Sequence, residues 1–489
     1  MTHEFPLAVF LGVLIIYILF LFVVSRITSR RAEGNAYYKG DRKAPWPVVA
    51  YGMVGATITG VTYVSVPGNV LVQNFYYIPM VAGFVVGYII VATMLIPLYY
   101  RLNLTSIYSS GAVAFMVSRI TGSGVRLFMV ILVLVSFLPP FVGGSNLLTF
   151  LFCTVVFITL VYLYTYRGGV KTIIWTDVIQ TTVTLSAVVL TVFSICREMG
   201  WNFGEMLSGV MTARNPETGV RYTTIFDWDW NHATNAVKQF ISGIFVTIVM
   251  TGLDQSMMQK NLACRNLREA QKNVVVTGLI IAVATIVFLL LGALLAIYVQ
   301  SKGGMLALEI EKTDQVFPVV ASRCLGMGLG VLFLLGLISA AFPCASSAMT
   351  SLTSSVCVDF LNLADRNDVD EMKKVSLRHR VQGVVASLLV IIIVALYLLS
   401  NDAVINLVYK FASYTYGPVV GLFFFGILTR WKIRDGAAPY IAAASPLLCF
   451  AIDWTGRHYL GFELGFTLLI VNGFITFAAL FLFRKRNEK

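Results

Sequence analysis

Apolar runs of about 20 residues recur from one end of this 489-residue sequence to the other. A helix rising ~1.5 Å per residue needs about that length to cross the ~30 Å hydrocarbon layer of a bilayer. In hydrocarbon the backbone must satisfy its own hydrogen bonds, so continuous runs of this kind are read as helices. The predicted spans are roughly 7–25, 47–70, 76–99, 112–138, 146–165, 171–196, 237–256, 274–299, 326–356, 381–399, 404–429, 437–453 and 463–483, about thirteen in all. With 58% hydrophobic and 12% charged residues, the chain carries about half the charge of a soluble domain and could not cover a water-facing globule. The fold class is therefore an all-α polytopic membrane protein, read as one transmembrane domain over 1–489.

The loops set the orientation, because cytoplasmic loops retain Lys and Arg. Alternate loops divide these residues very unevenly: 25 of the 36 fall on the side of Arg26, Lys260, Arg378 and Arg484, and 7 on the side of Arg197, Lys302 and Arg457. This places the N-terminus outside and the C-terminus in the cytoplasm of a cell membrane. The net charge of +12 is thereby a topology signal and does not call for nucleic acid. MTHEFP has no basic n-region, so the first helix reads as a retained anchor. The seven cysteines are dispersed without metal-ligand spacing; Cys196 and Cys324 both fall near the outer face, either as a disulfide or as free thiols. The longest loop, about 197–236, holds Trp201, Trp228 and Trp230 as interfacial anchors or a partial lid. The stretch 360–380 reads as a cytoplasmic connection. The expected partners are membrane lipid and a small-molecule solute, with no obligate protein partner.

Three spans look poor as simple helices. The second contains GATITGVTYVSVPGNV (55–70), the ninth GLISAAFPCASSAMTSLTSS (336–355) and the eleventh YKFASYTYGPVVG (409–421). Freed backbone groups are tolerated at membrane depth only where protein or a cavity receives them, and discontinuous helices mark the sites of secondary transporters built from inverted repeats. Five helices from the second span and five from the seventh would be inverted, since five is odd. In the ninth span Ser346, Thr350 and Thr353 follow i, i+4, i+7, and Ser347, Ser351 and Ser354 repeat that pattern one residue on, giving one broad hydroxyl face. Such hydroxyls either bond back to the preceding turn or offer hard oxygen to a small cation.

Charge inside a span costs at least ~2.5 kcal/mol, so it normally faces a cavity or a partner. Asp177 lies in the sixth span, Arg119 and Arg126 one heptad apart on the fourth, and Lys410 in the eleventh. A snorkelling Lys410 and a structural ion pair at either arginine are the plain alternatives to substrate contact.

GATITGVTYVSVPG, YRLNLTSIY, YTYRGGVKTIIWTDVIQ, GLDQSMMQKNLACRN, the stretch 340–359 and ASYTYGPVVGLFFFGILTR together resemble the sodium:solute symporter family over nearly the whole chain. The resemblance implies a LeuT-type core of ten helices in two inverted five-helix repeats, about 47–196 and 237–429, with one helix before and two after. It implies a main sodium site made by the carbonyls of Gly55 and Ile58 with hydroxyls at the positions of Pro343 and Cys344, and Ala340 one turn earlier. Here the family pattern is broken: proline offers no side-chain oxygen and a thiol is a soft ligand. A proline also frees the carbonyl four residues back, that of Ser339. A further sodium site of some members aligns with Asp177, Ser346 and Ser347. On the substrate side the resemblance points to Thr59, Thr62, Phe75 and the carboxylate-clamping Arg119, with Arg126 and Lys410 added as nearby cations; Pro79 stands where some members place a glutamine. The segment after YRLNLTSIY is shorter than the family's.

The leading function is sodium-coupled symport of a small organic solute, a carboxylated one such as a sugar acid ahead of a neutral sugar, with sodium as the coupling ion. A sodium-independent exchanger or facilitator on the same fold is the alternative, favoured by Pro343-Cys344. No nucleophile elbow, phosphate loop, metal cluster or signalling domain supports an enzyme or a sensor.

Overall fold

Helix breaks in this chain arise where β-branched residues or an aspartate cap compete with a continuing helix. In the computed structural model, which describes residues 7–29, 44–102, 112–136, 145–166, 169–363, 370–399, 402–429, 431 and 437–483, two such breaks shape the bundle. Helix α1 (Leu7–Ser29) precedes α2 (Trp46–Thr57), which stops at the run Thr57-Ile58-Thr59. Ile58 and Thr59 are extended, Thr59 caps α3 (Gly60–Gln73) by accepting from the Thr62 N–H, and the two helices bend by 63°. Then come α4 (Ile78–Ile90), prolonged through a wide turn to Leu102, α5 (Ala112–Ser136), α6 (Asn146–Thr165), α7 (Gly169–Glu198) and the short α8 (Phe203–Thr212). Helix α9 (Ala236–Thr247) widens into a π turn over Ile248–Gly252 and then breaks. Asp254 caps α10 (Gln255–Leu262) with one carboxylate oxygen, taking the Ser256 N–H at 2.9 Å and the Met257 N–H at 3.2 Å; the bend is 66°. The remaining long helices are α11 (Leu267–Ser301), α12 (Met327–Ser355), α13 (Glu371–Leu399), α14 (Asp402–Leu428), α15 (Ala438–Leu460) and α16 (Leu468–Leu482).

The break in the second span is where the sequence placed it. Those expected in the ninth and eleventh are absent: α12 runs through Pro343 and α14 through Pro418. A helix keeps its course through proline when the carbonyl released four residues back finds another donor. Pro418 releases the Tyr414 carbonyl, and Asn472 on α16 donates to it at 2.7 Å. Gly417 permits that approach, since a Cβ there would lie 2.3 Å from the Asn472 side chain. The break of the seventh span at Leu253-Asp254 was not foreseen. Its exposed backbone is also met from outside, the Tyr99 hydroxyl donating to the Gly252 carbonyl at 2.6 Å.

Among the described residues, nine helices are long and apolar enough to cross a membrane, or eleven with each bent pair as one span, and no sheet forms. Helix α7 packs on α2 and α12, α4 on α9, α3 on α11 and α14 on α16. Residues 371–380 belong to α13 and not to a loop. Two basic residues assigned to loops are buried in helices, Lys260 on α10 and Arg378 on α13; the unevenness of the loop charges survives their removal. Cys196 and Cys324 are free thiols. In the 197–236 segment Trp228 and Trp230 are exposed, while the Trp201 ring covers Gly209. There burial raises the Asp227 carboxyl, but hydrogen bonds from Thr234, the Asp229 N–H and His232 outweigh it and hold it below the usual carboxylate range. The entry to α5, residues 103–111, lies outside the described residues.

Candidate functional site

The break between α2 and α3 opens one wall of a cavity of about 270 Å³. Thr57, Ile58, Thr59 and Thr62 supply that wall; Tyr77 comes from the turn before α4 and Met80, Phe84 and Tyr88 from along α4, Arg119, Gly122, Arg126 and Met129 from α5, and Met250, Thr251 and Met257 from both sides of the second break. Phe466, from the turn before α16, also lines it. An apolar pocket with a few polar groups is the usual form of a small-molecule site. Both helix breaks therefore face one cavity, and Thr59 and Thr62, whose hydroxyls lie 3.3 Å apart, line it. Phe75 is buried in the turn between α3 and α4, and Pro79 in α4; Tyr77 and Met80 line the cavity in their place. Lys410 lies on α14, but its side chain falls outside the described residues.

The two arginines of α5 differ in kind. Arg119 is buried, and its Nη1 lies 2.6 Å from Oδ2 of Asp254 while Nη2 donates to Ser256 Oγ at 2.9 Å. Ser256 in turn hydrogen-bonds Asp254. One carboxylate thus caps α10 with one oxygen and neutralises Arg119 with the other, tying α5 to the second break. Arg126, a heptad on and half-buried, lines the cavity with no ion-pair or hydrogen-bond partner among the described residues.

Asp177 and Ser347 are brought together on one lysine, with Ser346 the buried neighbour of Ser347 on α12. Lys260 Nζ lies 2.6 Å from Asp177 Oδ2 and donates to Ser347 Oγ at 3.1 Å. All three partners are almost fully buried, and the other carboxylate oxygen, Oδ1, has no hydrogen-bond partner among the described residues. Ser346 donates to the Pro343 carbonyl at 3.3 Å, and Thr350, Ser351 and Thr353 bond back to carbonyls of their own helix. Most of the hydroxyl face of α12 is therefore helix-internal. Gly55 and Ile58 lie at the end of α2, and Ala340, Pro343 and Cys344 lie buried on α12, which packs against α2. Gly55 has a packing reason of its own, since a Cβ there would meet Thr181 Oγ1 on α7 at 2.1 Å.

Sequence reasoning missed Asp254 and Lys260. Both lie in GLDQSMMQKNLACRN. An aspartate directly after Thr-Gly-Leu and before a new helical period is an N-cap signal. The lysine was hidden by Arg265, Arg268 and Lys272, which made the whole stretch read as a basic loop.

A multi-helix bundle with two interrupted spans facing one cavity, and buried ion pairs beside them, defines a secondary transporter. The chain belongs to the sodium:solute symporter family, whose model matches residues 37–438. It is similar to the sodium/sialic acid symporter NanT of Aliivibrio fischeri, 24% identical over 466 residues that cover 91% of this chain and 88% of that one. It is also similar to the sodium/sialic acid symporter SiaT of Proteus mirabilis, 23% identical over 434 residues covering 84% and 82%. A solved structure of a Na+-coupled sialic acid symporter in its substrate-bound outward-open state superposes with a TM-score of 0.79 at 19% identity over 97% of both chains, so the two share a fold. This protein is a sodium-coupled secondary transporter that works by alternating access, and not an enzyme.

Proposed function

We propose that the protein carries a small carboxylated solute, such as a sugar acid, together with sodium, and does so in preference to a neutral sugar. Arg126 carries this reading: it is the cavity guanidinium without a described counter-charge, whereas Arg119 is already neutralised by Asp254. The anion-binding role assigned to Arg119 from the sequence moves one heptad along α5. A guanidinium matches a carboxylate with two parallel hydrogen bonds, and the named solute of the two sialic acid symporters is itself an acid.

The proposed architecture counts α14 and α15 as spans, giving thirteen, with inverted five-helix repeats over about 47–196 and 237–429. The two broken helices, α2–α3 and α9–α10, then open one repeat each, which supports the LeuT-type arrangement. Sodium is assigned first to Asp177, Ser346 and Ser347, where Oδ1 of Asp177, without a partner among the described residues, is a hard anionic ligand. The Lys260 ammonium holds the other oxygen and competes for the same charge. The set Gly55, Ile58, Ala340 and Cys344 is the weaker one, because a thiol stands where a hydroxyl would serve better. One sodium entering with one carboxylate is electroneutral, so the ~2.3 kcal/mol that ~100 mV gives the cation is spent on the anion and a tenfold sodium gradient, ~1.4 kcal/mol, drives about tenfold accumulation; a second sodium would add both contributions in full. The outside N-terminus and cytoplasmic C-terminus follow from the loop charges.

Uptake of labelled sugar acids with and without sodium tests the reading. A charge-assisted hydrogen bond contributes ~1.5–3 kcal/mol, so Arg126→Gln should raise the half-saturating acid concentration at least about tenfold. Competition by an uncharged analogue as strong as by the acid would overturn it.

A further inference from the structure

We propose that the groove between α6 and α13 is a binding site for one anionic phospholipid. The groove is outside the transport cavity and has two joined parts. One is lined by Tyr162, Tyr166, Ser376, His379, Arg380 and Gly383. The other runs on along Val155, Ile158, Ala386, Ser387, Val390 and Ile391, sharing Tyr162 and Gly383 with the first. The α13 residues recur at helical spacing from Ser376 to Ile391 and the α6 residues from Tyr166 back to Val155, so each helix contributes one continuous face. Fifteen positions at ~1.5 Å give the groove a length of about 22 Å. Half of a bilayer including its headgroup region measures about 20–22 Å. The groove is as long as one lipid in one leaflet.

Its ends differ as the ends of a phospholipid do. Arg380 is exposed at the mouth and has no ion-pair or hydrogen-bond partner among the described residues; exposed Lys373 and half-buried Lys374 precede it on the same helix. A basic cleft between transmembrane helices at the level of the headgroups is the form taken by anionic-lipid sites. Tyr162 and Tyr166 add the aromatic rings that favour the interface. The far end is apolar, and its neighbours Val155, Leu388 and Ile391 are exposed, as a lipid-facing surface should be. Small side chains at Gly383, Ala386 and Ser387 make the trough. Its floor is fixed: Tyr166 and His379 stack at 3.7 Å, and Gln382 donates to Thr165 Oγ1 at 2.9 Å. The charged mouth selects the anionic headgroup, and the apolar trough requires that the headgroup arrive with acyl chains.

The test uses the full-length protein, delipidated in detergent and titrated with phosphatidylglycerol or phosphatidylcholine, with bound lipid counted by native mass spectrometry. One phosphatidylglycerol should bind at least about fivefold more tightly than phosphatidylcholine, the difference one basic residue makes at a membrane surface. Arg380→Gln should remove that preference. Gly383→Leu should remove the bound lipid, and since nothing lies within 4 Å of a Cβ at Gly383, the fold tolerates it. Both variants alter exposed or open positions, and an unchanged melting temperature without added lipid confirms that they are folded. Glycerophosphoglycerol, the headgroup without chains, should not compete. Equal binding of the two lipids, retention of phosphatidylglycerol by Gly383→Leu, competition by the chain-free headgroup, or a protein dimer abolished by Gly383→Leu would each overturn the proposal.

Discussion

Lys260 changes what the hydroxyl face of α12 means. Asp177 has one oxygen on the lysine ammonium and one without a partner among the described residues, so a coupling ion at that carboxylate must work against a tethered cation. Asp177→Asn should raise the sodium concentration for half-maximal uptake at least several-fold, whereas unchanged sodium dependence would take the carboxylate out of coupling. Arg119 obeys a different logic. Its pairing with Asp254 is buried on both sides, and removing one member of such a pair leaves an uncompensated charge at a cost of ~3–5 kcal/mol. Asp254→Asn should therefore lower the melting temperature markedly, while Arg126→Gln leaves it near that of the parent protein; equal losses would contradict the division of labour between the two arginines. The aspartate, the serines and both arginines were legible as residues out of place in hydrocarbon. Their partners were not, because Asp254 and Lys260 are distant in sequence from Arg119 and Asp177 and meet them only through the break in the seventh span.

At the scale of elements, proline misled, threonine marked one real break, and the aspartate at the other went unread. Pro343 and Pro418 looked like breaks, but a proline interrupts a helix only if the released carbonyl has no other donor, and for Pro418 a residue on a different helix supplies one. The real interruptions use local chemistry, a β-branched run at 57–59 and an aspartate cap at 254. The first is visible in sequence; the second lies in an otherwise helical period. Close helix contacts show the same dependence on partners. Gly83 and Gly87 on α4 face Gly243 and Thr247 on α9, and a Cβ at Gly83 would sit 2.1 Å from the Phe240 carbonyl. This small-residue crossing lets the two backbones pack at a distance no larger side chain allows. Gly83→Val should force α9 away from α4 and abolish a monodisperse folded protein, read by fluorescence-detected size exclusion; a normal profile would show that the crossing can relax.

For the whole molecule, the all-α membrane-spanning class was legible from hydropathy alone, because hydrocarbon leaves few alternatives. The count of spans was less so, since charged residues lower the hydropathy of a helix that still packs in the bundle: α15 carries Asp453, Arg457 and His458. Orientation rests on loop charge and can be checked directly. With native cysteines replaced, an impermeant maleimide should label Ser208→Cys on exposed α8 in intact cells, and Ser376→Cys only after permeabilisation. The reverse pattern would invert the protein.

The pairing of charges also has an electrical consequence. Asp177 with Lys260, and Arg119 with Asp254, are two electroneutral couples, so rearranging either as a unit does almost no work against the transmembrane field. Arg126 has no described counter-charge, and a full elementary charge crossing ~100 mV involves ~2.3 kcal/mol. A carboxylate seated on it cancels that charge. The coupling sodium restores it, so with one sodium per carboxylate the loaded passage and the empty return each move one elementary charge through the field in opposite directions, and membrane voltage speeds one stroke as it slows the other while doing no net work on the cycle.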